Sequence, residues 1–228
     1  MPEAGDFKNA LVAAMFREVS PLVKNWRRVQ REHNARMLEF YENENSVLVC
    51  GGIGPEAARR AAVSCIELYR PKQIVSVGFA GALDASLHVG DVVRPQTVIN
   101  AADGSRWQTL DGVGVLVSFS AVAGTAQKRS LAKSFSALAV DMEAAAVAMG
   151  ASAANIAFGA VKVISDELGF EMPPADNFVD ADGQFQTGKF ALSAAVRPWQ
   201  WNRLRQLAAN SRIASRALSE NLAQRLAI

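Results

Sequence analysis

Short, uninterrupted apolar runs separated by stretches of helical spacing set the pattern of this chain. Residues 10–14 (Ala-Leu-Val-Ala-Ala), 46–50 (Ser-Val-Leu-Val-Cys), 73–77 (Gln-Ile-Val-Ser-Val), 114–117 (Gly-Val-Leu-Val) and 158–164 have the length and composition of strands covered on both faces. The first is expected to enter a helix over residues 17–26. The second passes into Gly51-Gly52-Ile53-Gly54, after which Pro55 suits a first helical position and residues 56–69 form a helix ending near Pro71. A short strand over 91–93 and an Ala-rich helix over 143–154 complete the alternation. It predicts the α/β class: a three-layer α/β/α sandwich around a central mixed, twisted sheet, in a single domain spanning 1–228. Residues 1–9 are expected to be flexible and 199–228 to form a C-terminal helix. That helix places Leu204, Leu207, Ala214, Leu218 and Leu222 on one face and Arg203, Arg205, Arg212, Arg216 and Arg225 around the rest. It reads either as a cover for the sheet with a solvated basic side or as a helix lying against anionic lipid.

Glycines follow the apolar runs at Gly51, Gly52, Gly54, Gly78 and Gly81. They serve tight packing, or they let backbone approach a ligand. The Gly51 to Gly54 turn is neither a Walker A loop nor a complete dinucleotide fingerprint.

The most informative segment is Ala139-Val140-Asp141-Met142-Glu143, followed about twenty residues later by Val163-Ile164-Ser165-Asp166. An acid that closes an apolar run sits where open α/β sheets place ligands, at the carboxyl ends of strands. There it loses solvation and acquires a shifted pKa suited to proton transfer. The alternative is that Asp141 or Glu143 is a helix-start acid and Asp166 an N-cap.

Composition narrows the function classes. The chain has 228 residues, half of them hydrophobic, and a formal charge of +2, so nucleic acid is not the expected partner. The two cysteines, Cys50 and Cys65, lie in apolar surroundings without CxxC spacing, and the two histidines lack ligand spacing, so neither disulfide nor metal is expected. No run reaches transmembrane length and no secretory leader is recognisable, which predicts a cytoplasmic protein without a membrane partner.

Four segments in order resemble the purine nucleoside phosphorylase superfamily, and most closely its 5′-methylthioadenosine/S-adenosylhomocysteine nucleosidase branch. They are Ala14-Met15-Phe16-Arg17-Glu18-Val19; Gly52-Ile53-Gly54; Val77-Gly78-Phe79-Ala80-Gly81 with His88-Val89-Gly90-Asp91-Val92-Val93; and the two acidic motifs above. The resemblance implies hydrolysis of the N-glycosidic bond of a 5′-substituted adenosine, without cofactor, in a homodimer or larger homo-oligomer. It implies that Glu18 deprotonates the attacking water, Glu143 binds ribose hydroxyls, and Asp166, supported by Ser165, protonates the purine at N7. Met142 would pack beneath the sugar, with Gly54, Phe79, Ala80 and Gly81 lining the site.

Departures from the pattern leave neighbouring readings open. Hexameric bacterial phosphorylases carry an arginine at the position of Ser76 and a serine at that of Phe79, both used for phosphate. Their loss here argues for hydrolysis, with Lys162 or an arginine outside the matched segments as a substitute cation if phosphate is used. Val122 stands where nucleosidases stack an aromatic residue on adenine, with Phe119 nearby. The shortened stretch between Val93 and Gly114, together with the basic C-terminal helix, resembles hopanoid-associated phosphorylase-like proteins, which implies a bulky adenosylated lipid as substrate. A noncatalytic nucleoside-binding protein is the non-enzyme alternative.

Overall fold

The computed structural model describes residues 7–171, Gly183 and 201–226. In chain order its elements are β1 (Asn9–Ala13), α1 (Phe16–Val19), β2 (Arg27–His33), β3 (Arg36–Glu42), β4 (Ser46–Cys50), α2 (Pro55–Tyr69), β5 (Gln73–Ala82) and β6 (Val92–Val93). These are followed by β7 (Thr97–Asn100), β8 (Arg106–Gln108), β9 (Val115–Ser118), α3 (Thr125–Phe135), β10 (Ala139–Asp141), α4 (Ala144–Ala153), β11 (Ala157–Asp166) and α5 (Trp201–Leu226).

Eleven strands among the described residues form one mixed sheet, ordered β2-β3-β4-β1-β5-β10-β9-β7-β8, from which β11 branches by pairing with β5 and β6. The apolar runs make its parallel centre, β4 and β5 flanking β1, and β11 lying along β5. β10 runs antiparallel to the end of β5, with Val140 opposite Gly81. One face is covered by α2 and α4, whose alanines, Ala58, Ala61, Ala62, Ala144 and Ala148 among them, let the helices approach each other and the sheet closely. The other face is covered by α5, which buries Ala214, Leu218 and Leu222 against Leu11, Val77 and Val163. The result is the three-layer sandwich that the alternation predicts.

Several details differ from the expectation. The helix over 17–26 is a single turn, because Pro21 lacks the N–H needed to continue it. A β2-β3 hairpin follows instead, most of its first strand exposed. Residues 7–9 are not a flexible extension: Phe7 is buried and β1 begins at Asn9. β5 continues through Gly78 and Gly81 rather than turning there. Leu204 and Leu207 are only partly buried, and the seal of α5 begins at Ala214. Both cysteines are free thiols, Cys65 buried and Cys50 partly so. The acids Asp176, Asp180 and Asp182 lie outside the described residues. Among the described residues no helix is long and apolar enough to cross a membrane.

Candidate active site

Five chain segments deliver polar groups to the carboxyl ends of β1, β4, β5 and β11, where parallel sheets leave a crevice. Glu18 comes first, on the turn of α1 that follows β1. Its side chain folds back so that Oε2 accepts the N–H groups of Ala14 and Met15, both at 3.2 Å. It is 3 % exposed, and burial raises its pKa above the usual carboxylate range, against the pull of Lys162 and of the two N–H donors. Gly78 makes room for it: a Cβ there would stand 2.9 Å from Oε2, and the residue has a φ of +141°, which suits glycine.

The acids of the 139–143 motif diverge. Asp141 ends β10 and is structural in its contacts: Oδ2 accepts the N–H of Ala144 at the start of α4, while Oδ1 accepts the hydroxyl of Ser118 at 2.6 Å. Ser118 in turn accepts the N–H of Ala145. Glu143, the N-cap residue of α4, points across to the α2 turn, where its Oε1 accepts the N–H of Gly54 at 2.9 Å. Its pKa is pushed up to about 7, first by desolvation and then by the charge of Asp141, with Lys162 and the Gly54 N–H opposing.

Lys162, on β11, ties this end together. Its ammonium is 1 % exposed and lies 2.9 Å from Asp141 Oδ2. Burial works against its charge, but Asp141, Glu143 and Glu18 outweigh that and hold its pKa above the ordinary lysine value. Three carboxylates thus share one cation; burial is the first cause that raises both Glu18 and Glu143, and the charge of Asp141 adds to it at Glu143.

A stability prediction follows for Glu143. Its folded-state pKa is above the unfolded carboxylate value, so the stabilisation of its neutral form is present in acid and lost as pH rises through about 7. Glu143→Gln keeps an acceptor for Gly54 and removes the titration. Thermal melts are expected to coincide with the wild type at acid pH. Above neutrality the variant should become more stable by on the order of 2 kcal/mol, once partial exposure is allowed for.

Asp166 closes β11 opposite Gly81. Ser165 donates its hydroxyl to Asp166 Oδ1 at 2.6 Å, and its Oγ also lies 3.4 Å from the carbonyl of Ala80. Oδ2 faces a residue that the sequence reading missed: Lys128 of α3, whose Nζ is 2.5 Å away and whose side chain is 1 % exposed. Glu18 and Asp166 therefore stand at opposite ends of the Gly78 to Gly81 stretch of β5, roughly 10 Å of extended backbone.

The remaining expected residues group around this line. Met142 is partly exposed beside Glu143 and offers its N–H to Glu143 Oε2. Phe119 and Val122 lie on the β9-α3 connection, both partly exposed, with Phe119 packed on the cluster of Leu83, Val117 and Val140. Ala80 is buried, and Phe79 leans onto the cluster beneath α5. Ser76 is fully buried between β1 and β11.

Comparison with known proteins identifies the family. The sequence profile of the phosphorylase superfamily matches residues 8–114 and 112–195. The chain belongs to the phosphorylase superfamily. Within the superfamily, it is 28 % identical over 205 residues to a 5′-methylthioadenosine/S-adenosylhomocysteine nucleosidase of Staphylococcus aureus, covering 71 % of this chain and 90 % of that protein. Its fold matches the apo structure of 5′-methylthioadenosine nucleosidase from Arabidopsis thaliana, with a TM-score of 0.74 at 17 % identity over 98 % of this chain and 95 % of that one. Futalosine hydrolase of Helicobacter pylori shares the fold with a TM-score of 0.67 at 16 % identity, over 96 % and 98 % of the two chains.

Proposed function

We propose that this superfamily member is a purine nucleosidase that hydrolyses the N-glycosidic bond of 5′-substituted adenosines, of the methylthioadenosine and adenosylhomocysteine type, releasing adenine. The observation that carries the reading is the placement of two buried carboxylates, Glu18 and Asp166, at the two ends of the Gly78 to Gly81 stretch. Cleavage of the bond builds positive charge on the ribose and negative charge on the base, so a site with acids placed apart serves both ends of one transition state.

In this reading Glu18 is the base. Its pKa, raised by burial, makes it a stronger base than an ordinary carboxylate, and water attacking the face opposite the purine inverts the anomeric carbon. Glu143, fixed by the Gly54 N–H, binds the ribose hydroxyls over Met142. Asp166, held by Ser165, delivers a proton to N7. Phe79, Ala80 and Gly81 line the base along β5, with Phe119 and Val122 across from them. Water rather than phosphate is favoured because Ser76 is sealed inside the sheet and Phe79 is turned onto apolar neighbours, so neither supplies an anion contact.

A homo-oligomer and a cytoplasmic setting belong to the same proposal. Exposed Phe16, Met37 and Met149 offer apolar surface for assembly, and two unpaired cysteines suit a reducing compartment.

The test is a substrate panel. Purified protein is incubated with methylthioadenosine, adenosylhomocysteine, adenosine, inosine and an adenosine bearing a large apolar 5′ group, and free base is resolved by chromatography. Release from the two thio-substituted adenosines, ahead of inosine, is expected. Release from the large apolar substrate alone would move the assignment to an adenosylated lipid, and tight binding without release would make the chain a nucleoside-binding protein.

A further inference from the structure

The Lys128–Asp166 pair has features that a packing role does not explain. Lys128 sits one turn into α3, in a helix segment whose neighbours Gln127, Arg129 and Ser130 are all exposed, yet its own side chain is enclosed. Its ammonium meets three acceptors: Asp166 Oδ2 at 2.5 Å, the Glu167 carbonyl at 2.7 Å and the Asp166 carbonyl at 3.3 Å. A buried ion pair of this kind is a poor stabiliser, since desolvating both charges offsets their attraction. Glycine at position 81 keeps the pair intact, because a Cβ there would lie 2.9 Å from both Asp166 Oδ2 and Lys128 Cε.

Among the described residues, no other titratable side chain is poised to take the place of Lys128. On its own helix, Arg129 and Lys133 point to solvent. Of the strands packed on α3, β9 carries no titratable group, and Asp141 of β10 is committed to Lys162 and Ser118. The neighbouring strand β5 has no titratable group, and on β11 the remaining one is Lys162. The carboxylate of Glu167 turns outward to His88.

We propose that Lys128 is the proton reservoir for the purine leaving group, acting through Asp166. This rests on the nucleosidase reading above and specifies how its acid works. In the resting site the proton resides on the lysine and the carboxyl is ionised. As the C1′–N9 bond breaks, its electron pair passes into the purine ring. The Lys128 N–H bond breaks as an O–H bond forms at Asp166 Oδ2, and that proton moves on to purine N7. Asp166 ends as a carboxylate, Lys128 as a neutral amine that solvent reprotonates, and the proton taken from water leaves through Glu18. Ser165 occupies Oδ1 throughout, so the transfer is confined to Oδ2. The advantage is range: a lysine stays protonated at pH values where a lone carboxyl has lost its proton, so the site keeps its acid well above neutrality.

Lys128→Met, close in volume and without charge, tests this. The variant leaves Asp166 to carry its own proton. The ratio of variant to wild-type kcat is expected to be largest in acid and to fall by about tenfold per pH unit above the titration of the carboxyl. Taking the ratio cancels the limb due to Glu18, which both proteins share. In a double-mutant cycle, adding Lys128→Met to Asp166→Asn should cost nothing further, because the lysine acts only through that carboxyl. A pH-independent ratio, or full additivity with Asp166→Asn, would overturn the proposal and leave Lys128 as a structural residue. An activity-independent readout separates this from failure of the nucleosidase reading. The infrared carbonyl band of a protonated Asp166, assigned by its loss in Asp166→Asn backgrounds, should be absent in wild type at neutral pH and appear in acidified Lys128→Met. A protonated Asp166 in the wild type beside Lys128 would overturn the proposal even if no nucleoside were cleaved.

Discussion

Glu18→Gln is expected to lower kcat for base release by roughly 10²–10⁴-fold, the range associated with loss of a positioned general base, while substrate still binds. Glutamine keeps an oxygen to accept the Ala14 and Met15 N–H groups, so the α1 turn and the backbone that carries it should persist. It cannot take a proton from water. Because Glu18 is buried with a raised pKa, the substitution also relieves an unfavourable charge in the folded protein, and its melting temperature should rise at alkaline pH. Kinetics with a bound-substrate structure would check both halves: intact nucleoside should remain in the site. A variant retaining most of its turnover would remove Glu18 from the mechanism and leave its burial and raised pKa without a chemical purpose.

Asp166→Asn is expected to lose kcat by a similar factor with little change in substrate affinity, since the proton it passes on matters mainly in the transition state. This variant carries a structural cost that Glu18→Gln does not. It leaves the Lys128 ammonium buried against a neutral amide, and breaking one side of such a pair destabilises by roughly 3–5 kcal/mol. Melting curves must therefore accompany the kinetics. The double variant with Lys128→Met should recover much of the stability and none of the turnover. Equal losses in binding and turnover at the assay temperature, with the fold intact, would make Asp166 a binding residue and contradict its assignment as the acid.

The parts of this fold that could be read from the sequence are those where packing and local chemistry agree. β4 and the helix α2 declare themselves through an unbroken apolar run, a glycine turn and Pro55 at the first helical position. β5 and β11 are apolar enough to be read as central strands, and Asp166 stands out because it ends one of them. The β2-β3 hairpin was hidden because β2 is mostly exposed, and its seven residues, Arg-Arg-Val-Gln-Arg-Glu-His, carry no alternating apolar signal. β7, β8 and β10 are three or four residues long, and their existence depends on neighbours far along the chain.

Lys128 shows the same limit at the site. Its segment, Thr-Ala-Gln-Lys-Arg-Ser, reads as a solvated helix start, and the carboxylate that it meets lies 38 positions away. Lys162 carried a visible signal, a lysine inside the run Ala-Val-Lys-Val-Ile, where a buried cation requires buried anions. The sequence cannot tell that those anions are Asp141, Glu143 and Glu18 together, because the pairing of β5 with β11, β10 and β1 brings them to one end of the sheet.

The most direct test of the account is whether free adenine leaves methylthioadenosine in a phosphate-free buffer, with the sugar product identified alongside it. The arrangement of Glu18 beside Gly78, with Ser76 and Phe79 offering no anion contact, predicts adenine and a free methylthioribose at a rate that added phosphate does not change. Release that requires phosphate and yields a sugar 1-phosphate would contradict hydrolysis and place an anion, rather than water, opposite the purine.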